Sequence, residues 1–351
     1  MSARCRLLPA GQTNEGKSMR KIKVIQIGLG PLGQKIAKYL AERSSTFQLV
    51  GAVDKNPELA GQKIGTVCGL GSKFHFTIKG SLDEALVEAK PDVALLTTVS
   101  DIQRIIGQIE GIVSHHLPVV STCEELFFPW ETAPALARRI DAAARRNDVA
   151  VLGTGVNPGF LMDFLPLVFT AVCQDVKRIR VSRIQNAAFR RLPFQKKIGA
   201  GLTLAEFVAR HKNGTLRHVG LTESMHMIAS RMGWKLTKTQ DILTPIIAQH
   251  KIKTDIMTIR KGMTAGVQQI GHAYEKDALR IELVFRASVG EEDPQDVVDI
   301  AGTPPIISVV KGGINGDVAS CAIIINAVGQ IIHAPSGLRT MADIVPVSFF
   351  K

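Results

Sequence analysis

The strongest constraint on this chain is one glycine-rich turn, Gly28-Leu29-Gly30-Pro31-Leu32-Gly33. The apolar run Ile22-Lys23-Val24-Ile25-Gln26-Ile27 precedes it and reads as a buried strand, and Leu32, Ile36 and Leu40 follow on one helical face. Strand, glycine turn and helix form the setting in which GxGxxG specifies a dinucleotide site. Gly28 permits the tight turn, Gly30 lets backbone approach a pyrophosphate, and Gly33 lets the helix pack close to the strand. Pro31 suits a first helical turn, where its missing N–H is no loss. The next strand, Phe47–Val53, ends in Asp54, about twenty residues on, where an acid takes the ribose hydroxyls. A turn-only role for the glycines leaves Asp54 unexplained. A carboxylate there repels a 2′-phosphate and favours NAD; Lys55 beside it partly offsets this and leaves NADP open.

The alternation continues as α/β. Residues 81–89 read as a helix capped by Ser81, and residues 91–96 as a strand ending in Thr97-Thr98-Val99-Ser100. Those hydroxyls either face the cofactor or cap the helix that begins near Asp101. Residues 102–113 are helical, His115 and His116 fall in a surface turn, and residues 117–121 form another strand.

That strand leads into Ser121-Thr122-Cys123-Glu124-Glu125-Leu126, followed by Phe127-Phe128-Pro129-Trp130. Acids directly after a buried strand are costly unless paired, solvated or used. The position is the C-terminal edge, where open α/β sheets bind ligands. Consecutive side chains at a strand end diverge, so one acid faces the cleft, and position favours Glu124 over Glu125. The apolar neighbours Phe127, Phe128 and Trp130 would desolvate it.

A helix over 131–146 and a strand over 148–152 end in Gly153-Thr154-Gly155-Val156-Asn157-Pro158-Gly159-Phe160, with Asp163 beyond. The turn either presses against a nicotinamide, Asn157 holding its carboxamide, or hinges two domains. Past Pro166 the period changes. Strands are expected over 176–184, 253–260, 265–270 and 279–287, with helices over 204–211 and 224–232. This is α+β with a mostly antiparallel sheet, whose second face needs a cover or a partner copy. An apolar helix over 319–332 returns to the first domain, and residues 335–338 close the ordered part.

The expected organisation is a leader over 1–18, a Rossmann dinucleotide-binding domain over 19–157 with 318–351, and a substrate and dimerisation domain over 158–317. A length of 351 residues, 45% hydrophobic and 21% charged, suits two domains. The leader lacks the apolar core of a signal peptide, and no apolar run approaches the ~20 residues of a membrane helix. Five cysteines without CxxC spacing argue for a reducing, cytoplasmic setting and against structural zinc. The net charge of +12 is spread out and lacks aromatic interleaving, so neither nucleic acid nor membrane is an expected partner.

Gly28 to Gly33, the 121–126 strand end and the Gly153 to Phe160 turn with Asp163 together resemble the 2,4-diaminopentanoate dehydrogenase family. The likeness extends through Lys197-Ile198-Gly199-Ala200-Gly201, His218-Val219-Gly220-Leu221 with Glu223-Ser224, and Gly316-Asp317 with Asn326. The first domain alone resembles the broader dihydrodipicolinate reductase-like group. The resemblance implies an NAD(P)-dependent amine dehydrogenase, interconverting an amine with a ketone or aldehyde plus ammonia. It also implies a two-domain homodimer with the site between domains and a key glutamate, Glu124 or Glu125. Phe128, Trp130, Phe160 and His218 are expected at the substrate pocket.

Amine oxidation passes through a cationic iminium, which a carboxylate stabilises and a lysine would repel. No lysine stands near the end of the strand that carries Glu124. Two other readings are a cyclic-imine reductase, using Arg190, Arg191, Lys196 and Lys197 to bind a dicarboxylate, and a non-catalytic dinucleotide sensor.

Overall fold

A computed structural model describes residues 20–350, apart from 72, 73, 191, 217 and 218. The expected leader therefore lies outside the described residues. In chain order the first part holds β1 (Ile22–Ile27), α1 (Pro31–Glu42), β2 (Phe47–Val53), α2 (Ile64–Val67), α3 (Leu82–Glu88), β3 (Val93–Leu96), α4 (Ile102–Val113), β4 (Val119–Ser121), α5 (Pro129–Thr132), α6 (Pro134–Arg146) and β5 (Ala150–Gly153). There follow α7 (Phe164–Thr170), β6 (Asp175–Asn186), α8 (Leu192–Lys197), α9 (Leu204–Lys212), α10 (Leu221–Met232), β7 (Lys238–Ile247), β8 (Ile252–Lys253), β9 (Thr258–Ile259), β10 (Thr264–Glu275), β11 (Ala278–Ser288), β12 (Gln295–Thr303) and β13 (Ile306–Lys311). The chain ends with α11 (Gly316–Ile331) and β14 (Gly337–Arg339).

The first sheet is parallel, in the order β14-β5-β4-β3-β1-β2. β2 and β3 flank β1 on opposite sides, so the connections reverse there, and the crevice beyond those strand ends is where such sheets take ligands. Alternate strand residues feed two cores. Val24, Leu95 and Val120 face α1 and α11, while Ile25, Leu96 and Val119 face α4 and α6. α4 buries Ile102, Ile105, Ile106, Ile109 and Ile112, one helical face. Ser81 and Asp101 cap α3 and α4 by accepting from the backbones of Glu84 and Arg104.

The second sheet runs β13-β12-β6-β11-β10-β7; β6 and β11 are parallel and the other pairs antiparallel. α10 covers one face through Leu221, Met225 and Ile228. On the opposite face the register lines up Ile242, Ile270, Val284, Ser182, Val297 and Val309, a mainly apolar row crossing all six strands.

Two expectations need correction. Residues 253–260 are not one strand: Lys253 and Thr258 pair as the ends of two short strands around a turn. The chain also stays packed beyond Leu338: Met341 is buried and Phe350 stacks edge-on against Phe47 at 5.8 Å. β7, β12 and β13 escape the sequence pattern. β7 and β13 are the sheet's edges, and exposed Ile242, Ile307 and Val309 blur the polar alternation expected of a half-buried strand.

Candidate active site

The glycine turn folds as its residues demand. Gly28 has φ of +90°, and a Cβ there would lie 2.8 Å from the Thr97 carbonyl oxygen. A Cβ on Gly33 would overlap the Gly28 carbonyl oxygen. Gly30 alone faces open space, with nothing within 4 Å of where its Cβ would be. The turn is braced from below by Gln26, a buried amide in mid-strand that the sequence pattern did not single out. Its Nε2 donates to the Gly28 carbonyl at 2.9 Å and to Thr97 Oγ1 at 2.8 Å.

The residues expected to hold the cofactor divide. Pro31, Leu32 and Asn157 line a cavity at the strand ends. Asp54 accepts from the backbone N–H of Leu29 at 2.6 Å and of Asn56 at 2.8 Å, so its carboxylate fastens the glycine turn. Lys55 is exposed. Thr97 Oγ1 donates to the Gly28 carbonyl at 2.9 Å and braces the turn. Thr98 donates to Gln108 Oε1 at 3.0 Å, Val99 packs on the α4 core, and the Ser100 carbonyl accepts from Glu125 N at 3.3 Å.

The cavity holds about 330 Å³ and lies between the glycine turn, the ends of β4 and β5, and the second domain's β6 and α8. Glu124 lines it; Glu125 does not. The strand has already ended at these acids, and they lie in a single 3₁₀ turn, Glu124–Leu126. About 120° per residue then separates their side chains. Glu125 swings back to α4, where its Oε2 accepts from Ile102 N at 3.0 Å.

The aromatic expectations change as well. Phe127 lines the cavity, but Phe128 is buried in the first core and Trp130 wedges between the two cores. Phe160 borders a different groove, between α11 and the C-terminal tail. Each sits where apolar area is removed from water. His218 lies outside the described residues.

Opposite Glu124 stands a wall supplied by the second domain. Lys197 Nζ approaches Glu124 Oε1 to 3.6 Å, and the two side chains are 41% and 23% exposed. Linear reading placed no lysine at this strand end; folding brings one from over seventy positions away. Arg190 donates to Asp317 at 2.9 Å and stacks 3.9 Å over the Phe194 ring. Arg183 pairs with Asp296 at 3.2 Å, and burial pulls its guanidinium down to about 10 in spite of that partner. Burial likewise lifts the Asp296 carboxyl above its usual range, outweighing Arg183. Such a pair fixes geometry more than it stabilises. Its signal in the sequence is Arg183 standing in phase with buried Ile179 and Val181. The basic cluster imagined for a dicarboxylate is thus divided: Arg190 pairs with Asp317 and Lys197 with Glu124, Lys196 is exposed, and Arg191 lies outside the described residues.

The cavity floor is the turn after β5. Gly159 has φ of +132°, and a Cβ on it would overlap Gly155. Asp163 ties the turn down. Its fully buried carboxylate accepts from Gly159 N at 2.9 Å, Phe164 N at 2.6 Å and Ser224 Oγ at 2.7 Å. Asn157 Nδ2 and Thr154 Oγ1, both of residues lining the cavity, are buried without a hydrogen-bond partner among the described residues. An open backbone cradle at Gly30 and a spare amide donor at the cavity fit a dinucleotide whose nicotinamide end enters it.

Comparisons with known proteins give the family and the fold. Residues 160–350 match the family model described as the 2,4-diaminopentanoate dehydrogenase C-terminal domain. Residues 22–123 match that of the dihydrodipicolinate reductase N-terminus. A 2,4-diaminopentanoate dehydrogenase from Acetoanaerobium sticklandii is 33% identical over 333 residues, covering 93% of this chain and 94% of the relative. The chain belongs to the 2,4-diaminopentanoate dehydrogenase family. That places it among NAD(P)-dependent amine oxidoreductases. Its fold is shared with an amine dehydrogenase from Mycobacterium smegmatis, at a TM-score of 0.82 with 20% identity, over 95% of this chain and 98% of that one. A UDP-N-acetylglucosamine 3-dehydrogenase from Acidithiobacillus ferrooxidans is more distant, at a TM-score of 0.51 and 12% identity over 91% of each chain.

Proposed function

We propose that the cavity oxidises a primary amine to a ketone or aldehyde plus ammonia, and runs in reverse as a reductive amination, with Glu124 as the acid/base residue. The observation that carries this is the divergence of the two acids: Glu124 lines the cavity beside Leu32 and Asn157, while Glu125 is turned to α4. The dinucleotide supplies hydride acceptance when bound. Gly28, Gly30 and Gly33 hold its pyrophosphate, and Asn157 its carboxamide. Asp54 favours NAD over NADP.

Glu124 first takes the proton that frees the amine nitrogen. Once that proton has passed to solvent, the restored carboxylate stabilises the cationic carbon–nitrogen double bond left by hydride loss; it then draws a proton from the attacking water and returns it to the nitrogen, which departs as ammonia. The first substrate to try is 2,4-diaminopentanoate, on which the relative is named. The apolar row from Ile242 to Val309 packs against its copy in a homodimer, removing that face from water.

The test is amine-dependent dinucleotide reduction by wild type, Glu124→Gln and Glu125→Gln. Glu124→Gln lowers kcat by about 10²- to 10⁴-fold and leaves dinucleotide affinity within a few-fold. Full turnover in Glu124→Gln would overturn the assignment. Dinucleotide binding by wild type without turnover on any amine would favour a sensor.

A further inference from the structure

The ion pair at the cavity presents a conflict that the proposed chemistry has to resolve. Glu124 is to receive a cationic substrate, yet Lys197 already offers it an ammonium at 3.6 Å. One carboxylate cannot serve two adjacent cations without placing like charges side by side.

The structure also shows why Lys197 is there. It is the last residue of α8, a helix fastened from both sides. Buried Gln195 donates through Nε2 to the carbonyls of Ala187 at 2.9 Å, Ala188 at 3.2 Å and Arg190 at 2.9 Å. Arg190 stacks on Phe194 and pairs with Asp317 at the start of α11. The helix end is thereby aimed across the cleft at Glu124.

The pair is unlike its neighbour. Arg183 and Asp296 are 2% and 5% exposed, dry and fixed. Lys197 and Glu124 are 41% and 23% exposed, and their 3.6 Å separation is longer than the ~2.7–2.9 Å of a tight charged hydrogen bond. A wet, loose pair exchanges its partner at little cost.

We propose that Lys197 is a resident counter-cation of Glu124, a place-holder that the substrate's ammonium group displaces, so that the second domain sets how strongly the site attracts a cationic amine. This rests on the reading of Glu124 above. Lys197 is a positioning residue here. It holds the carboxylate aimed while the site is empty of substrate, and it retracts toward water along its flexible stem when the amine enters.

The experiment compares wild type, Lys197→Met and Lys197→Arg, and the two Lys197 variants in a Glu124→Gln background. The amine KM is measured with saturating dinucleotide, alongside the dinucleotide KM. Binding of propylammonium chloride is measured by calorimetry, with sodium chloride at equal ionic strength as control. Lys197→Met lowers the amine KM and the propylammonium Kd roughly fivefold, the range of an exposed pair, with the dinucleotide KM unmoved. Lys197→Arg stays near wild type because the charge remains. In the Glu124→Gln background Lys197→Met has no effect on propylammonium binding, as the two residues act as one pair. An amine KM in Lys197→Met that is unchanged or raised overturns the place-holder; a raise confined to carboxylate-bearing amines would mark Lys197 as an anion anchor instead. The failures are separable. Amine turnover by wild type with an unmoved Lys197→Met KM sinks only this proposal, whereas a wild type that oxidises no amine sinks the reading of the site.

Discussion

Ser224 on α10 donates a 2.7 Å hydrogen bond to the Asp163 carboxylate, joining the helix that covers the second sheet to the turn that floors the cavity. Both residues are fully buried, and Gly220 lets the helix start come so close that a Cβ there would overlap the Pro158 ring. Three donors converge on Asp163, but burial outweighs them and lifts its carboxyl to about 6 from an ordinary 3.8.

A pH signature follows from that shift. The folded value lies above the unfolded one, so the stability linked to this proton is fully present below pH 3.8 and is lost as pH rises through 6. Asparagine does not titrate. The stability of wild type relative to Asp163→Asn therefore falls by up to about 3 kcal/mol between pH 3.5 and 7. Urea unfolding of both proteins at the two pH values measures this, and a difference that does not change with pH contradicts it.

Glu125 is a cap, so its loss registers in stability. Glu125→Ala removes an acceptor from the Ile102 backbone N–H at the start of α4 and lowers stability by about 1 kcal/mol. Glu125→Gln retains turnover, in contrast to Glu124→Gln. Thermal unfolding and steady-state rates together separate the two acids; equal losses of turnover would refute the division.

The glycine turn has no slack at Gly33. Gly33→Ala drives a methyl group into the Gly28 carbonyl and pushes α1 off β1. The expected cost is about 1–3 kcal/mol in stability, with a weaker dinucleotide Kd. Titration of the dinucleotide by fluorescence reads the second effect; wild-type affinity would mean that the turn binds no pyrophosphate.

Val284 sits mid-row on the face of the second sheet opposite α10, 9% exposed and paired in register with Ile270 and Ser182. Val284→Arg places a charge at the centre of the proposed dimer contact and yields a monomer by sedimentation or light scattering. A variant that keeps the wild-type mass puts the contact elsewhere.

The fold was largely legible because its first domain repeats short-range signals. Strand, Gly28 to Gly33 and helix are neighbours in sequence, and Ser81 and Asp101 announce helix starts within four residues. The second sheet was less legible. Its edge strands β7 and β13 carry exposed Ile242, Ile307 and Val309, so period and burial disagree locally. At the site, strand alternation suggested that one acid turns inward. The 3₁₀ turn did separate them, but by helical rotation, and Phe128 beyond it is buried in the core.

By itself the sequence determined what depends on neighbours along the chain: a dinucleotide turn, an α/β first domain, and acids at a strand end where amine chemistry has use for one. Only the tertiary structure decided what stands opposite them. Lys197, Arg183 and Arg190 reach the cavity from the second domain, and Asp163 meets Ser224 sixty-one positions away. Charge interactions act through space, and the sequence separation of two groups says nothing of their distance until the two domains have closed on one another.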